Sequence, residues 1–214
     1  MQGKISLILR AMRKYSDNSP AIGFSSPFQV LISTVLSQRT RDSNTAKASA
    51  QLFAEFPDSK KLSKANTKKI EGLIKPAGFY RVKAERIKQI AEQLEKEFQG
   101  KVPKTRKQLL SIKGVGPKTA GCVIVYAFKG AELPVDTHVH RISNRLGLVK
   151  TKTPEKTEPA LKKIIPKKYW AEINHLMVRY GQKICLSKNP RCNACDLRKI
   201  CAYYKTIAKK QHSS

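Results

Sequence analysis

The chain has 214 residues, 40% of them apolar, and carries 43 Lys and Arg against 15 Asp and Glu, a formal net charge of +28. That apolar share is enough for one large or two small cores and argues against disorder, while a cationic excess spread over the whole chain points to a polyanionic partner. The longest apolar run, Ala120–Phe128, is nine residues, against the roughly 20 needed to cross a bilayer, so no membrane span is expected.

Residues 4–16 are predicted as a first helix with Ile5, Ile8, Leu9 and Met12 on one face. The same residues have too short an apolar centre, and no small-residue cleavage pattern, for a signal peptide. An intracellular protein is therefore expected, cytoplasmic and nucleoid-associated if prokaryotic, in a compartment where thiols stay reduced. Ser16–Pro27, rich in Ser, Asn, Pro and Gly, reads as a linker. Pro27 then opens an apolar helix to about Ser37, and Asp42 is expected to cap another that runs to about Phe53. Further helices are expected near 66–74, 80–98, 104–111, 117–128, 136–146, 154–164 and 167–181. No segment alternates with period two, and the 11 Gly and 11 Pro fall mostly at segment edges, so the fold class is all-α.

Leu109-Leu110-Ser111-Ile112-Lys113 reads as the end of a helix, Gly114-Val115-Gly116 as a tight turn, and Pro117 as the first residue of the next helix. Gly114 can take the left-handed conformation that closes a helix, and Pro117 at the first helical position gives up no hydrogen bond. Such a turn presents backbone N–H groups at the positive end of the helix dipole, where an anion binds. A phosphate held by backbone amides is positioned without its base being read. Gly-x-Gly alone is common to tight helical hairpins; the following Pro-Lys-Thr-Ala makes it distinctive. A related Ile-Lys-x-x-Gly pattern at 74–78 suggests that the hairpin is used twice, the first time for packing.

Lys118 falls just inside the restarted helix. As one lysine among many it is a solvated charge or a phosphate contact, yet an amine that sheds its proton can also act as a nucleophile. Asp136 precedes a helix and suits an N-cap, worth about 1 kcal/mol. His138 and His140 are two apart, on different sides of a helix, and are read as ordinary contacts and not as metal ligands. Cys185, Cys192, Cys195 and Cys201 are separated by six, two and five residues. Steps this short let four thiolates converge on one inorganic centre. A single Cys-x2-Cys pair beside wider steps departs from the two-pair layout usual for zinc, so the set reads as iron–sulfur ligands with zinc as the competing ion. Lys188, Arg191, Arg198 and Lys199 add cations to the same loop. Cys122, in the apolar run Gly121–Val125, reads as a small buried hydrophobe.

The segments L-L-S-I-K-G-V-G-P-K-T-A at 109–120, V-D-T-H-V-H-R at 135–141 and the cysteine pattern at 185–201 together resemble the endonuclease III family of helix–hairpin–helix base-excision DNA glycosylases. The resemblance runs from about Pro27 to Tyr203. It implies a two-lobed all-α fold, with a helical domain at 21–133 and a domain of 1–20 plus 134–214 whose four cysteines hold a [4Fe-4S] cluster. It further implies a monomer, without membrane attachment, acting on double-stranded DNA that contains damaged bases or abasic sites. The DNA would lie over a cleft where Lys118 and Asp136 meet. In that family the lysine attacks the sugar C1′, expels an oxidised pyrimidine and forms a Schiff base, after which β-elimination breaks the strand 3′ to the lesion. Asp136 would stabilise the cationic sugar or move protons. Gly114, Val115, Gly116, Lys118, His138, Lys188 and Arg191 are the expected DNA contacts.

The segment Leu36-Ser37-Gln38-Arg39-Thr40-Arg41-Asp42 departs from the family pattern. Relatives show L-S-x-Q, with Asp three residues later, and that glutamine fills the space left by the flipped nucleotide. Here Arg39 holds the position and Gln38 comes one earlier, so either is the candidate wedge. Altered substrate choice therefore stays open. The alternatives are a monofunctional mismatch glycosylase acting on adenine or thymine, whose relatives place another residue at the lysine position, and a non-catalytic DNA-binding protein.

Overall fold

A computed structural model of the chain describes residues 2–16 and 26–211, so the central part of the expected Ser16–Pro27 linker lies outside the described residues. Among them the regular structure is helical, with no strand. The helices are α1 (Gln2–Arg13), α2 (Pro27–Leu36), α3 (Asp42–Glu55), α4 (Ser59–Ser63), α5 (Thr67–Leu73), α6 (Tyr80–Phe98), α7 (Arg106–Ser111), α8 (Pro117–Tyr126), α9 (Thr137–Arg145), α10 (Pro154–Ile164), α11 (Trp170–Lys183) and α12 (Ala202–Gln211). Short 3-10 turns occur at Lys167–Tyr169, Cys192–Ala194 and Arg198–Ile200. None of the helices in the described residues is long and apolar enough to cross a membrane. Packing divides the chain into two compact units, Ile22–Gly130 and Met1–Ala21 with Ala131–Ser214.

The first unit is built around α2. Phe28 and every residue from Val30 to Leu36 are buried, as expected of a helix that is apolar on all sides and surrounded by others. It packs against α3, α6 and α8. Helix α6 is amphipathic instead, turning Ala84, Ile87, Ala91 and Leu94 inward at three- and four-residue steps. Its C-terminus is closed by Gln99 in the left-handed region and by Gly100, whose N–H reaches Leu94 O at 2.9 Å. Asp58, Asn66 and Thr105 cap α4, α5 and α7 by accepting backbone N–H bonds. Asp42 does not cap α3 as expected. Arg41 occupies the cap without a side-chain bond, and Asp42 lies in the first turn, where a carboxylate is favoured by the helix dipole.

In the second unit Ile5, Ile8, Leu9 and Met12 are buried together with Leu133, Val139, Ile142, Leu161, Leu176 and Met177, with α1 set against α11. Thr153 caps α10, accepting from Lys156 N at 3.4 Å. The Lys162 ammonium donates to Glu132 at 2.6 Å and Glu158 at 2.7 Å and stands 5.1 Å from the Trp170 ring centre. Two helices were not expected from the sequence. Helix α4 has five residues, too few to show a period, and α12 is rich in Lys and Tyr without a clean apolar stripe.

Leu31 is fully buried in α2, so Leu31→Ala is expected to destabilise the fold by about 2–5 kcal/mol, read as a lower urea midpoint at unchanged slope.

Candidate active site and nucleic-acid interface

The polar side of α6 supports two surface loops of its own unit. At one end the Lys83 Nζ donates to Leu36 O at 2.7 Å, Gln38 O at 2.6 Å and Thr40 Oγ1 at 2.7 Å, gathering the turn that follows α2. One helical turn along, Arg86 donates to Gln38 Oε1 at 3.3 Å and packs against Gly114, where an added Cβ would lie 3.0 Å from Arg86 Cγ and Cδ. Farther along, Gln93 accepts from Lys113 N at 2.9 Å and donates to Ser111 O at 3.1 Å. The turn after α2 and the glycine hairpin therefore share one rigid support.

The hairpin has the expected form. Gly114 is left-handed at φ +88°, and Pro117 opens α8 with Gly116 at the cap and no side-chain cap bond. Val115 stands between the two glycines of the turn. Its side chain is buried, and its N–H donates to Ile112 O at 3.0 Å, because an apolar residue at the tip anchors the turn to the core. Among the described residues the N–H groups left for an anion are those of Gly114, Gly116, Lys118 and Thr119. The Lys118 side chain is half-exposed at this helix start.

The candidate wedge residues are held differently. Gln38 is half-buried, its carboxamide drawn to Arg86, whereas Arg39 is exposed and left-handed at φ +52°, with its guanidinium 5.9 Å from the Phe79 ring centre. Phe79 is itself left-handed and 62% exposed, beside Val82 at 56%. Phe79 is exposed beside the candidate wedge residue Arg39, and sequence reasoning did not single it out. It follows Gly78 directly and precedes the helix expected at 80–98, where no helical period covers it.

In the second unit Asp136 Oδ1 accepts from His138 N and Val139 N, each at 2.9 Å, and caps α9 as expected. His138 and His140 part company: His140 Nδ1 pairs with Thr157 Oγ1 at 2.7 Å, and His138 Nδ1 lies 3.1 Å from Arg141.

Cys185, Cys192, Cys195 and Cys201 line one pocket with Arg145, Tyr180 and Tyr203. Among the described residues no three His, Cys, Asp or Glu side chains close on a single ion position. Burial, followed by the charges of Cys195, Cys201 and Cys185, pushes the Cys192 thiol up. Arg145 and Arg141, one turn apart on α9, fasten the loop. Arg145 donates to Leu186 O at 2.6 Å, Ser187 O at 2.9 Å and Cys185 Sγ at 3.4 Å, and Arg141 donates to Cys185 O at 2.9 Å. Tyr180 Oη lies 3.0 Å from Cys195 Sγ. Lys188 and Arg191 are exposed. Arg145, outside the quoted motifs, was likewise missed; its partners are 40 and more residues away.

A glycine-closed helical hairpin with a lysine at its helix start is the mark of a class of DNA repair proteins, and residues 32–167 match the HhH-GPD superfamily of base excision DNA repair proteins. The chain is 52% identical to endonuclease III of Thermotoga maritima over 86% of each chain, and 35% identical to that of Synechocystis over 92% of this chain and 90% of the relative. A trapped endonuclease III–DNA covalent intermediate superposes with a TM-score of 0.90 at 31% identity, covering 97% of this chain and 99% of the other. A thermostable thymine-DNA glycosylase, at 24% identity and TM-score 0.84, shares the fold. The chain belongs to the endonuclease III family. It is accordingly a base-excision repair DNA glycosylase with AP lyase activity.

Gly114→Ala forces a side chain into left-handed backbone beside Arg86, and is expected to lower stability by about 1–2 kcal/mol in thermal or urea unfolding.

Proposed function

We propose that this enzyme removes oxidised pyrimidines from duplex DNA and cleaves the strand 3′ to the lesion, with Lys118 as nucleophile. The observation that carries this reading is the partly buried lysine in the first turn of α8, behind a glycine cap that leaves the backbone amides without a side-chain bond. DNA phosphate held by those amides sets the sugar against the Lys118 amine. The amine attacks C1′ as the bond to the base breaks, giving an imine. The imine acidifies the 2′ proton, whose loss expels the 3′ phosphate. The related endonuclease III captured as a covalent intermediate with DNA is consistent with an amine nucleophile.

Asp136 serves twice in this reading. One carboxylate oxygen caps α9 through two N–H bonds, and the charge stabilises the cationic sugar or moves protons during base release. Arg39 and Gln38 belong to the loop that enters the duplex. The exposed aromatic face of Phe79 beside Arg39 suits stacking on an unpaired base. Lys188, Arg191 and His138 add backbone contacts from the second unit.

Cys185, Cys192, Cys195 and Cys201 hold a [4Fe-4S] cluster in this reading. Its chemistry is that of a cross-link tying four points of residues 185–201 together, which keeps Lys188 and Arg191 ordered against phosphate. Arg145 and Arg141 hold the same loop through its carbonyls. In this reading the enzyme works on DNA inside the cell.

Wild-type enzyme incubated with a duplex carrying a single oxidised pyrimidine is expected to form a borohydride-stable complex, while Lys118→Gln forms none and loses base release by orders of magnitude. Persistence of both activities in Lys118→Gln would sink the assignment. Asp136→Asn keeps an N-cap, so its stability should stay within about 0.5 kcal/mol of wild type while base release falls about 100-fold or more. Metal analysis of the purified protein is expected to give four iron and four sulfide per chain, lost in Cys192→Ser; one zinc per chain overturns the cluster assignment.

A further inference from the structure

The Lys83 side chain sits inside the helical unit at 4% exposure, in a setting unusual for an ammonium. All three of its donors are used, on Leu36 O, Gln38 O and Thr40 Oγ1 at 2.6–2.7 Å. None of these is a carboxylate, so the charge is met by dipoles alone. Burying a charge in this way is costly, and a Met or Leu of similar volume would fill the space. Burial and the nearby Arg86 charge lower its pKa to about 8, which leaves it mainly protonated at neutral pH.

The partners have a meaning of their own. Leu36 O is one of the carbonyls that α2 leaves without an intrahelical bond, at the negative end of its dipole. Gln38 and Thr40 flank Arg39, so the ammonium grips the residue on each side of it. Thr40 Oγ1 also donates to Gln38 O at 3.3 Å, closing the ring. Arg39 is left as the apex, in a left-handed conformation that an arginine does not adopt unaided. Across the turn Gly78 permits the approach: a Cβ there would meet Arg39 O at 3.2 Å. Arg86 meanwhile draws the Gln38 carboxamide back toward α6.

We propose that Lys83 is a positioning residue for nucleotide extrusion: by gripping both neighbours of Arg39 it holds the loop in the conformation that presents Arg39, and not Gln38, to the duplex. This rests on the reading of residues 37–41 as the loop that enters DNA. Lys83, 4% exposed, acts through the loop it grips and not on the reacting sugar. Its effect appears wherever a nucleotide must be pulled out of a stacked duplex, and disappears where the site is already accessible.

The test compares Lys83→Met, Thr40→Val and Arg39→Ala with wild type on two substrates. One is a duplex with a single oxidised pyrimidine opposite 2-aminopurine, the other a single-stranded oligonucleotide with an abasic site. For Lys83→Met, single-turnover base release from the duplex is expected to fall on the order of 10- to 100-fold. The 2-aminopurine fluorescence change should slow in step, while cleavage of the single strand changes less than about twofold. Thr40→Val keeps the ammonium and removes one of its three acceptors, so it should show the same selective loss to a smaller extent, and it decides the matter if Lys83→Met does not fold. Equal losses on both substrates, or no loss on the duplex, overturn the proposal. Arg39→Ala separates the two layers. A duplex-selective loss in Arg39→Ala without one in Lys83→Met or Thr40→Val sinks the Lys83 assignment alone, whereas no duplex-selective loss in Arg39→Ala sinks the loop reading on which it stands.

Discussion

Every α-helix leaves backbone N–H groups at its start and carbonyls at its end without partners inside the helix. In an all-helical protein those ends must be dealt with one by one, and the working parts of this chain are the places where that happens. The start of α8 is capped by a glycine with no side chain, so its amides remain for an anion. The start of α9 is closed by Asp136. The end of α2 is closed from outside, by an ammonium borrowed from α6. Three helix termini receive three treatments, and the chemistry available at each follows from which was used.

Much of this was legible in the sequence because it depends on near neighbours. Ile5, Ile8, Leu9 and Met12 share a face at helical spacing, and all are buried. Gly114, Pro117 and Asp136 each report a local backbone requirement that few other residues meet, and each adopts the predicted geometry. What could not be read is what depends on distance along the chain. Lys83 is one of 43 basic residues, and nothing adjacent to it reveals that its partners lie 43 to 47 positions earlier. Arg145 and the cysteine loop present the same difficulty. Asp42 was misread because Asp suits both a cap and a first turn, and only the backbone of Arg41 decides between them. Phe79 escaped because it stands just before the helix expected at 80–98, outside any periodic pattern.

The basic composition has two uses that a net charge does not separate. Residues such as Lys188 and Arg191 stand in solvent and add to the field that attracts a polyanion. Lys83, Arg141, Arg145 and Lys162 work as fasteners, gripping carbonyls, hydroxyls, a sulfur or the two carboxylates beside Trp170. Arginine predominates where a loop is to be held by several carbonyls at once, as its planar fork allows; lysine serves where three acceptors converge on a point. Fifteen acidic residues could not neutralise such a chain, so backbone oxygen takes much of the role carboxylates play elsewhere.

The exposed pair Phe79 and Val82 bears on how the protein behaves in a concentrated solution. An aromatic and a β-branched side chain, both exposed within four residues of chain, are adhesive in water. Like-charged copies of a +28 chain are kept apart at low ionic strength, but the screening length shrinks from about 10 Å at 0.1 M salt to about 3 Å at 1 M. Salt strong enough to detach the protein from a polyanion therefore also removes the repulsion that guards this pair. Colloidal stability and strength of polyanion binding are set by the same variable, and neither can be adjusted without moving the other.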